Sequence, residues 1–82
     1  MRQCHSPRLG IFFKELRKQR GLTQEQLAER AGVERNYIYY LEKGMCDPTL
    51  GVLVGLAQGY GLRFSQFAAL LEPIIDVPSD EL

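Results

Sequence analysis

The residues best equipped for chemistry in this 82-residue chain fall in one short run, Arg35-Asn36-Tyr37-Ile38-Tyr39-Tyr40. An arginine presents a planar fork of donors that can bond two acceptors at once, and an asparagine amide offers a donor and an acceptor side by side. Tyr40 follows Asn36 by four residues, so the two share a face if the run is helical. This is the chemistry of hydrogen-bonded recognition. Three tyrosines in four positions are more than a merely solvated face needs. Catalysis finds no comparable support, since neither a nucleophile–base pair nor a phosphate-binding glycine loop stands out. The single histidine, His5, sits beside Cys4, and with the distant Cys46 it makes no metal-ligand spacing. No metal and no cofactor is expected, and the chain does not read as an enzyme.

A framework must hold those residues, and the stretch from Thr23 to Gly44 supplies one. Thr23 can cap a helix, and Gln26 three residues later completes a capping box that satisfies orphan amides at the helix start. Leu27, Ala28 and Ala31 then fall on one helical face. Gly32 follows where the chain must turn sharply, a place that suits glycine because a left-handed backbone costs it little. After Val33 and Glu34 a second helix begins, with Ile38 and Leu41 three apart on its inner face, and Gly44 ends it. Two short helices joined by so tight a corner cross steeply and present the second one outward.

This segment resembles the DNA-binding domain of the Cro- and phage-repressor-like (Xre) family of bacterial and phage transcription regulators. In that family a glutamine opens the second helix, a small residue sits at its middle, and a glycine makes the turn. One apolar residue follows, and two more anchor the recognition helix. Gln24, Ala28, Gly32, Val33, Ile38 and Leu41 occupy those positions here. The similarity runs upstream through KELRKQRGLTQ and downstream through PTLGVLVGLAQGYGL, covering roughly residues 9 to 71.

The resemblance implies roles residue by residue. Arg35, Asn36 and Tyr40 would contact bases in the major groove. Arginine suits the two acceptors of guanine, asparagine the donor and acceptor of adenine, and tyrosine a thymine methyl or a phosphate. Gln24, Tyr37 and Lys43 would contact phosphates, Gln24 with help from the dipole at its helix start. Arg17 and Glu42 would form a partly buried ion pair tying the first helix to the recognition helix, a structural role that acts on function through orientation. Tyr39 stays open between packing on the fourth helix and facing the sugar backbone. Arg8, Lys14, Lys18 and Arg20 read as ordinary surface charges, one or two of which could reach DNA.

The periodicity predicts an all-α chain of five helices, and the resemblance implies a five-helix repressor-like DNA-binding domain with the helix-turn-helix as helices 2 and 3. The first helix is expected over about Leu9–Arg20 with Ile11, Phe12 and Leu16 inward and Phe13 as a weaker candidate. The fourth starts at a Thr49 cap and carries Leu50, Leu53, Val54, Leu56 and Ala57 to about Tyr60. Ser65 is expected to cap the fifth, which should fray near Pro73 because proline disfavours helical geometry in the residue before it. Gly51, Gly55 and Gly59 lie four apart in the fourth helix. They could make a smooth face for close helix approach, even across a dimer, or be tolerated by a helix already held in the core. The second reading is preferred.

Length predicts a single domain over 1–82, with a core from about 9 to 75, a mobile N-terminal tail at 1–7 and an acidic tail at 76–82. No sensor domain is expected. No run approaches the ~18 apolar residues of a membrane span. The N-terminus lacks a secretory pattern, and two separated cysteines suit a reducing cytoplasm. Net charge is zero but unevenly spread. Residues 1–43 hold nine Lys or Arg against five Asp or Glu, and residues 44–82 hold one against five. A DNA-facing front and an acidic back would look like this. From Phe64 to Val77 the chain carries more apolar surface than one short closing helix needs, which predicts a homodimer contact through Phe67, Leu70, Leu71, Ile74 and Ile75. The expected function is a transcriptional regulator that binds an operator in double-stranded DNA as a homodimer through the major groove. The alternative is a protein-interaction module of the same fold, such as an antitoxin or antirepressor, whose main partner is another protein.

Overall fold

The computed structural model describes residues 7–75, so the expected tails lie outside it except for Pro7, which opens the first helix rather than ending a tail. Five helices follow in order: α1 (Pro7–Gln19), α2 (Gln24–Ala31), α3 (Arg35–Glu42), α4 (Leu50–Tyr60) and α5 (Phe64–Leu71). Proline suits the first helical position because its missing N–H would have had no partner there. At α2 the capping box is reciprocal. Thr23 Oγ1 accepts the Gln26 N–H at 3.1 Å, and Gln26 Oε1 accepts the Thr23 N–H at 2.9 Å. Gly32 ends α2 with φ 77°, and its N–H returns to the Ala28 carbonyl. Thr49 caps α4 by accepting from the Val52 N–H at 3.2 Å. The fifth helix departs from expectation: it is capped at Arg63, whose N–H donates to Gln66 Oε1 at 3.0 Å, and Ser65 lies inside the first turn.

Each helix turns one stripe inward, and two of those stripes differ in phase from the sequence expectation. In α1 the buried line is Gly10, Phe13, Leu16 and Arg17, while Ile11 is 61% exposed. Ile11 stands about 100° round the helix from Gly10, off the line that meets the other helices. In α4 the buried residues are Leu56, Ala57, Gly59 and Tyr60, while Leu50 and Val54 face outward. Tyr60 anchors the interior through its hydroxyl, which donates to the Phe13 carbonyl at 3.1 Å.

Phe67 is fully buried and sits at the middle of an aromatic cluster. Its ring centroid lies 5.7 Å from Tyr60, 6.1 Å from Phe12 and 6.4 Å from both Phe13 and Phe64. Leu71, one turn on, is buried beside it. Both residues therefore close this chain's own core and are not available for contact with a second copy, which corrects their expected place in a dimer interface. Leu70 lies about 100° round α5 from Leu71 and is exposed. Ile74 is half-buried and Ile75 exposed in the turn that follows.

The fourth-helix glycines are not merely tolerated. A Cβ built at Gly55 would lie 2.5 Å from the Ala31 carbonyl oxygen, and one at Gly59 would lie 2.8 Å from Leu27 Cδ1. These two positions let α4 press against α2, Gly55 on its backbone and Gly59 on the Leu27 side chain, within one chain and not across two. Gly51 has nothing nearer than 3.9 Å, so there alone the preferred reading of tolerance stands.

Candidate nucleic-acid interface

The short helix α3 is fixed from behind and open in front. Ile38 and Leu41 are buried, whereas Arg35, Asn36, Tyr39, Tyr40 and Lys43 are exposed. Its C-terminal end is pinned by α1, where a Cβ at Gly10 would lie 2.5 Å from the Glu42 carbonyl oxygen and 2.8 Å from the Gly44 nitrogen. Sequence reasoning passed over Gly10. Only a glycine gives α1 that approach.

Arg17 and Glu42 meet beneath this helix, both 9% exposed. Arg17 Nε donates to Glu42 Oε2 at 2.7 Å and Nη2 to Oε1 at 3.0 Å, a two-point contact. Arg17 Nη1 donates to the Leu22 carbonyl at 2.9 Å, so the guanidinium also ties in the α1–α2 connection. The hydrogen bond to Glu42 raises the Arg17 pKa above its ordinary value, against an opposing effect of burial.

A hydrogen-bonded line runs outward from that pair. Gln24 Nε2 donates to Glu42 Oε1 at 3.0 Å. Gln24 Oε1 in turn accepts from Arg35 Nη1 at 3.4 Å, and Arg35 Nη2 donates to Asn36 Oδ1 at 3.3 Å. Two of the residues expected at base edges are thereby joined to the one expected at a phosphate. Tyr40 stands apart from this line, with its ring edge-on to Tyr39 at 5.3 Å. Tyr39, left open by the sequence, faces Tyr40 on one side and the Lys43 ammonium 5.5 Å from its centroid on the other. That distance allows a cation–π attraction.

Tyr37 is half-buried and packs against the core, near Cys46. Burial pushes the Tyr37 hydroxyl above its ordinary pKa, and does the same to the Cys46 thiol. A residue that sequence reasoning treated as ordinary surface charge enters as well. Lys14 of α1 joins Gln24, Tyr39, Glu42 and Lys43 in lining a cleft of about 140 Å³. The signal was present in its spacing, because Lys14 precedes Arg17 by three residues and so shares its side of the helix. Two lysines thus line this cleft, and its carboxylate, Glu42, is already paired to Arg17.

Comparison with known proteins places this geometry. The model of a helix-turn-helix domain family matches residues 8–70. An HTH-type transcriptional regulator from Sinorhizobium fredii is 41% identical over 70 residues, covering 85% of this chain and 87% of that protein. The immunity repressor protein of Bacillus phage phi105 is 39% identical over 57 residues, covering 70% of this chain but 40% of the longer repressor. Among solved structures, the restriction-modification controller protein C.AhdI from Aeromonas hydrophila superposes with a TM-score of 0.69 at 30% identity, covering 74% of this chain and 92% of that one. No helix among the described residues is long and apolar enough to cross a membrane.

Proposed function

Because this chain belongs to the Cro- and phage-repressor-like helix-turn-helix family of DNA-binding transcription regulators, we propose that it binds an operator in double-stranded DNA as a homodimer, seating α3 in the major groove. The observation that carries this reading is the row Arg35, Asn36 and Tyr40, exposed on a helix whose opposite face is locked into the core. Arg35 reads a guanine through its donor fork and Asn36 an adenine through its amide. Tyr40, one turn further along, supplies apolar contact for a thymine methyl. Lys43 and Lys14, at the cleft beside Tyr39, take phosphates on the flanking backbone. Regulation of transcription follows from occupying the operator in the cytoplasm, where such DNA lies.

The homodimer rests on geometry and on what the core leaves outside. One recognition helix spans only a few base pairs, and two of them spaced by about one DNA turn, ~34 Å, solve this by symmetry. Leu70 and Ile75 remain exposed after the core is closed, with Ile74 half-buried between them, and all three follow the DNA-facing helices in the chain. Selection of bound sequences from a random duplex pool, repeated with Arg35→Ala, tests the groove assignment. A two-fold consensus that loses its preference at one position per half-site is expected. No consensus, or one indifferent to Arg35→Ala, overturns it. Sedimentation of Leu70→Asp and Ile75→Asp tests the dimer: folded monomers with weakened operator binding are expected, and dimers unaffected by both changes place the interface elsewhere.

A further inference from the structure

We propose that Tyr39 is a positioning residue whose ring holds the Lys43 ammonium at the phosphate cleft and the Tyr40 ring at the base edges, so that one side chain orders a backbone contact and a base contact together. This rests on the DNA contacts given to Lys43 and Tyr40 above. Tyr39 lines the cleft with Glu42 and Lys43 of the same helix, and Tyr40 does not. The Tyr39 ring therefore stands between the cleft and the reading row. Lys43, one turn on, has its ammonium 5.5 Å from the Tyr39 centroid. The Tyr40 ring meets Tyr39 at 5.3 Å with an interplanar angle of 74°. Both contacts belong to the ring, and neither needs the hydroxyl.

These contacts act on side-chain freedom and not on the fold. Tyr39 is 41% exposed and Tyr40 47%, so neither ring closes the core. An exposed lysine ordinarily samples many rotamers and an exposed tyrosine several, and ordering either one on DNA costs free energy. An aromatic ring attracts an ammonium to its negative face and packs edge to face with a second ring. Tyr39 offers one interaction to Lys43 and the other to Tyr40, before any DNA arrives. Lys14 lines the same cleft. Repulsion between two lysines there favours their separation, and attraction to the Tyr39 ring offsets it for Lys43.

Tyr39→Phe keeps the ring, and Tyr39→Leu replaces it with an apolar side chain of good helix propensity. In the intact chain Tyr39→Leu should weaken binding to random duplex by about twofold to fivefold, the range of a cation–π contact at an exposed site. It should relax the base preference at the Tyr40 position by a similar factor. The slope of log affinity against log salt should not change, because no charge is lost. Tyr39→Phe should match the unaltered chain in all three measurements. With Lys43→Ala present, Tyr39→Leu should cost nothing further on random duplex, and with Tyr40→Ala present it should relax that base no further. Tyr39→Ala serves as a second variant if Tyr39→Leu melts early. Equal damage from Tyr39→Phe and Tyr39→Leu overturns the proposal and makes the hydroxyl a direct contact. Unchanged binding by Tyr39→Leu overturns it as well, and so does simple additivity with Lys43→Ala and Tyr40→Ala. If neither Lys43→Ala nor Tyr40→Ala alters binding, the contacts assigned to them have failed, and the proposal falls with them for that separate reason.

Discussion

Glu42→Ala should be the most damaging single change at the interface, although Glu42 touches no DNA in the proposed complex. Its carboxylate accepts from Arg17 Nε, Arg17 Nη2 and Gln24 Nε2. Removing it leaves the Arg17 charge buried with only the Leu22 carbonyl as partner. A buried charge stripped of its counterion costs about 3–5 kcal/mol. A chain of this length has a total stability on the order of 4–12 kcal/mol, so about a quarter or more of it is at stake. Each kcal/mol lowers Tm by roughly 4–8 °C in a domain of this size, which makes the loss easy to measure. The stronger test is the cycle with Arg17→Met. The two-point pair is desolvated, so replacing both partners by apolar groups removes the penalty together with the attraction. Arg17→Met with Glu42→Leu should cost less than the sum of the singles by about 2 kcal/mol or more. Urea denaturation of the four proteins measures that difference. Single effects that add within about 0.5 kcal/mol would refute the reasoning, because they would mean the two groups do not depend on each other.

Three further outcomes follow from the same contacts. Gly55→Ala should destabilise by about 1–3 kcal/mol, since its Cβ would meet the rigid Ala31 carbonyl at 2.5 Å and force α2 and α4 apart. Gly51→Ala, in open space on the same helix, should stabilise by up to ~1 kcal/mol, so matched effects in thermal melts would discredit the close-approach account. Burial holds Tyr60, Tyr37 and Cys46 above their ordinary pKa values of 10.0, 10.0 and 9.0, so on raising the pH the unfolded chain loses these protons before the folded one does. The contribution of these three groups should accordingly be constant below about pH 8 and be lost as pH rises past the unfolded values, with a shallower fall in stability in Tyr60→Phe; rising stability in that alkaline range would contradict it. Lys14→Ala should weaken binding to all duplexes alike and lower the slope of log affinity against log salt by about one, as Lys43→Ala should, whereas a sequence-dependent loss would remove Lys14 from the phosphate contacts.

Local structure was legible in the residues because it depends on near neighbours. Thr23 and Gln26 reach only three residues to close their box, and Gly32 adopts its left-handed conformation for reasons contained in the corner itself. The anchoring of α3 by Ile38 and Leu41 also followed from spacing within eight residues. So did the outward direction of Arg35, Asn36 and Tyr40, because once the apolar positions of so short a helix face inward the remaining ones have nowhere else to point.

Tertiary structure decided whatever depended on which helix lay opposite. Ile11, Phe12 and Phe13 are all apolar, and only the directions of α3 and α5 select Phe13 for the interior and leave Ile11 in solvent. Phe67 and Leu70 were equally plausible as outward residues until Tyr60, Phe12 and Phe13 closed around one of them. The glycines of α4 have no local duty to betray their purpose, because the atoms they make room for belong to α2, more than twenty residues earlier. Gln24 is the sharpest case. Its place at a helix start was legible, but its amide is oriented by Glu42, eighteen residues away, a carboxylate whose own direction is imposed by Arg17 on a third helix. Propensity and periodicity act over one or two turns, whereas a buried polar group takes the partner that the packing of the whole chain brings within 3 Å.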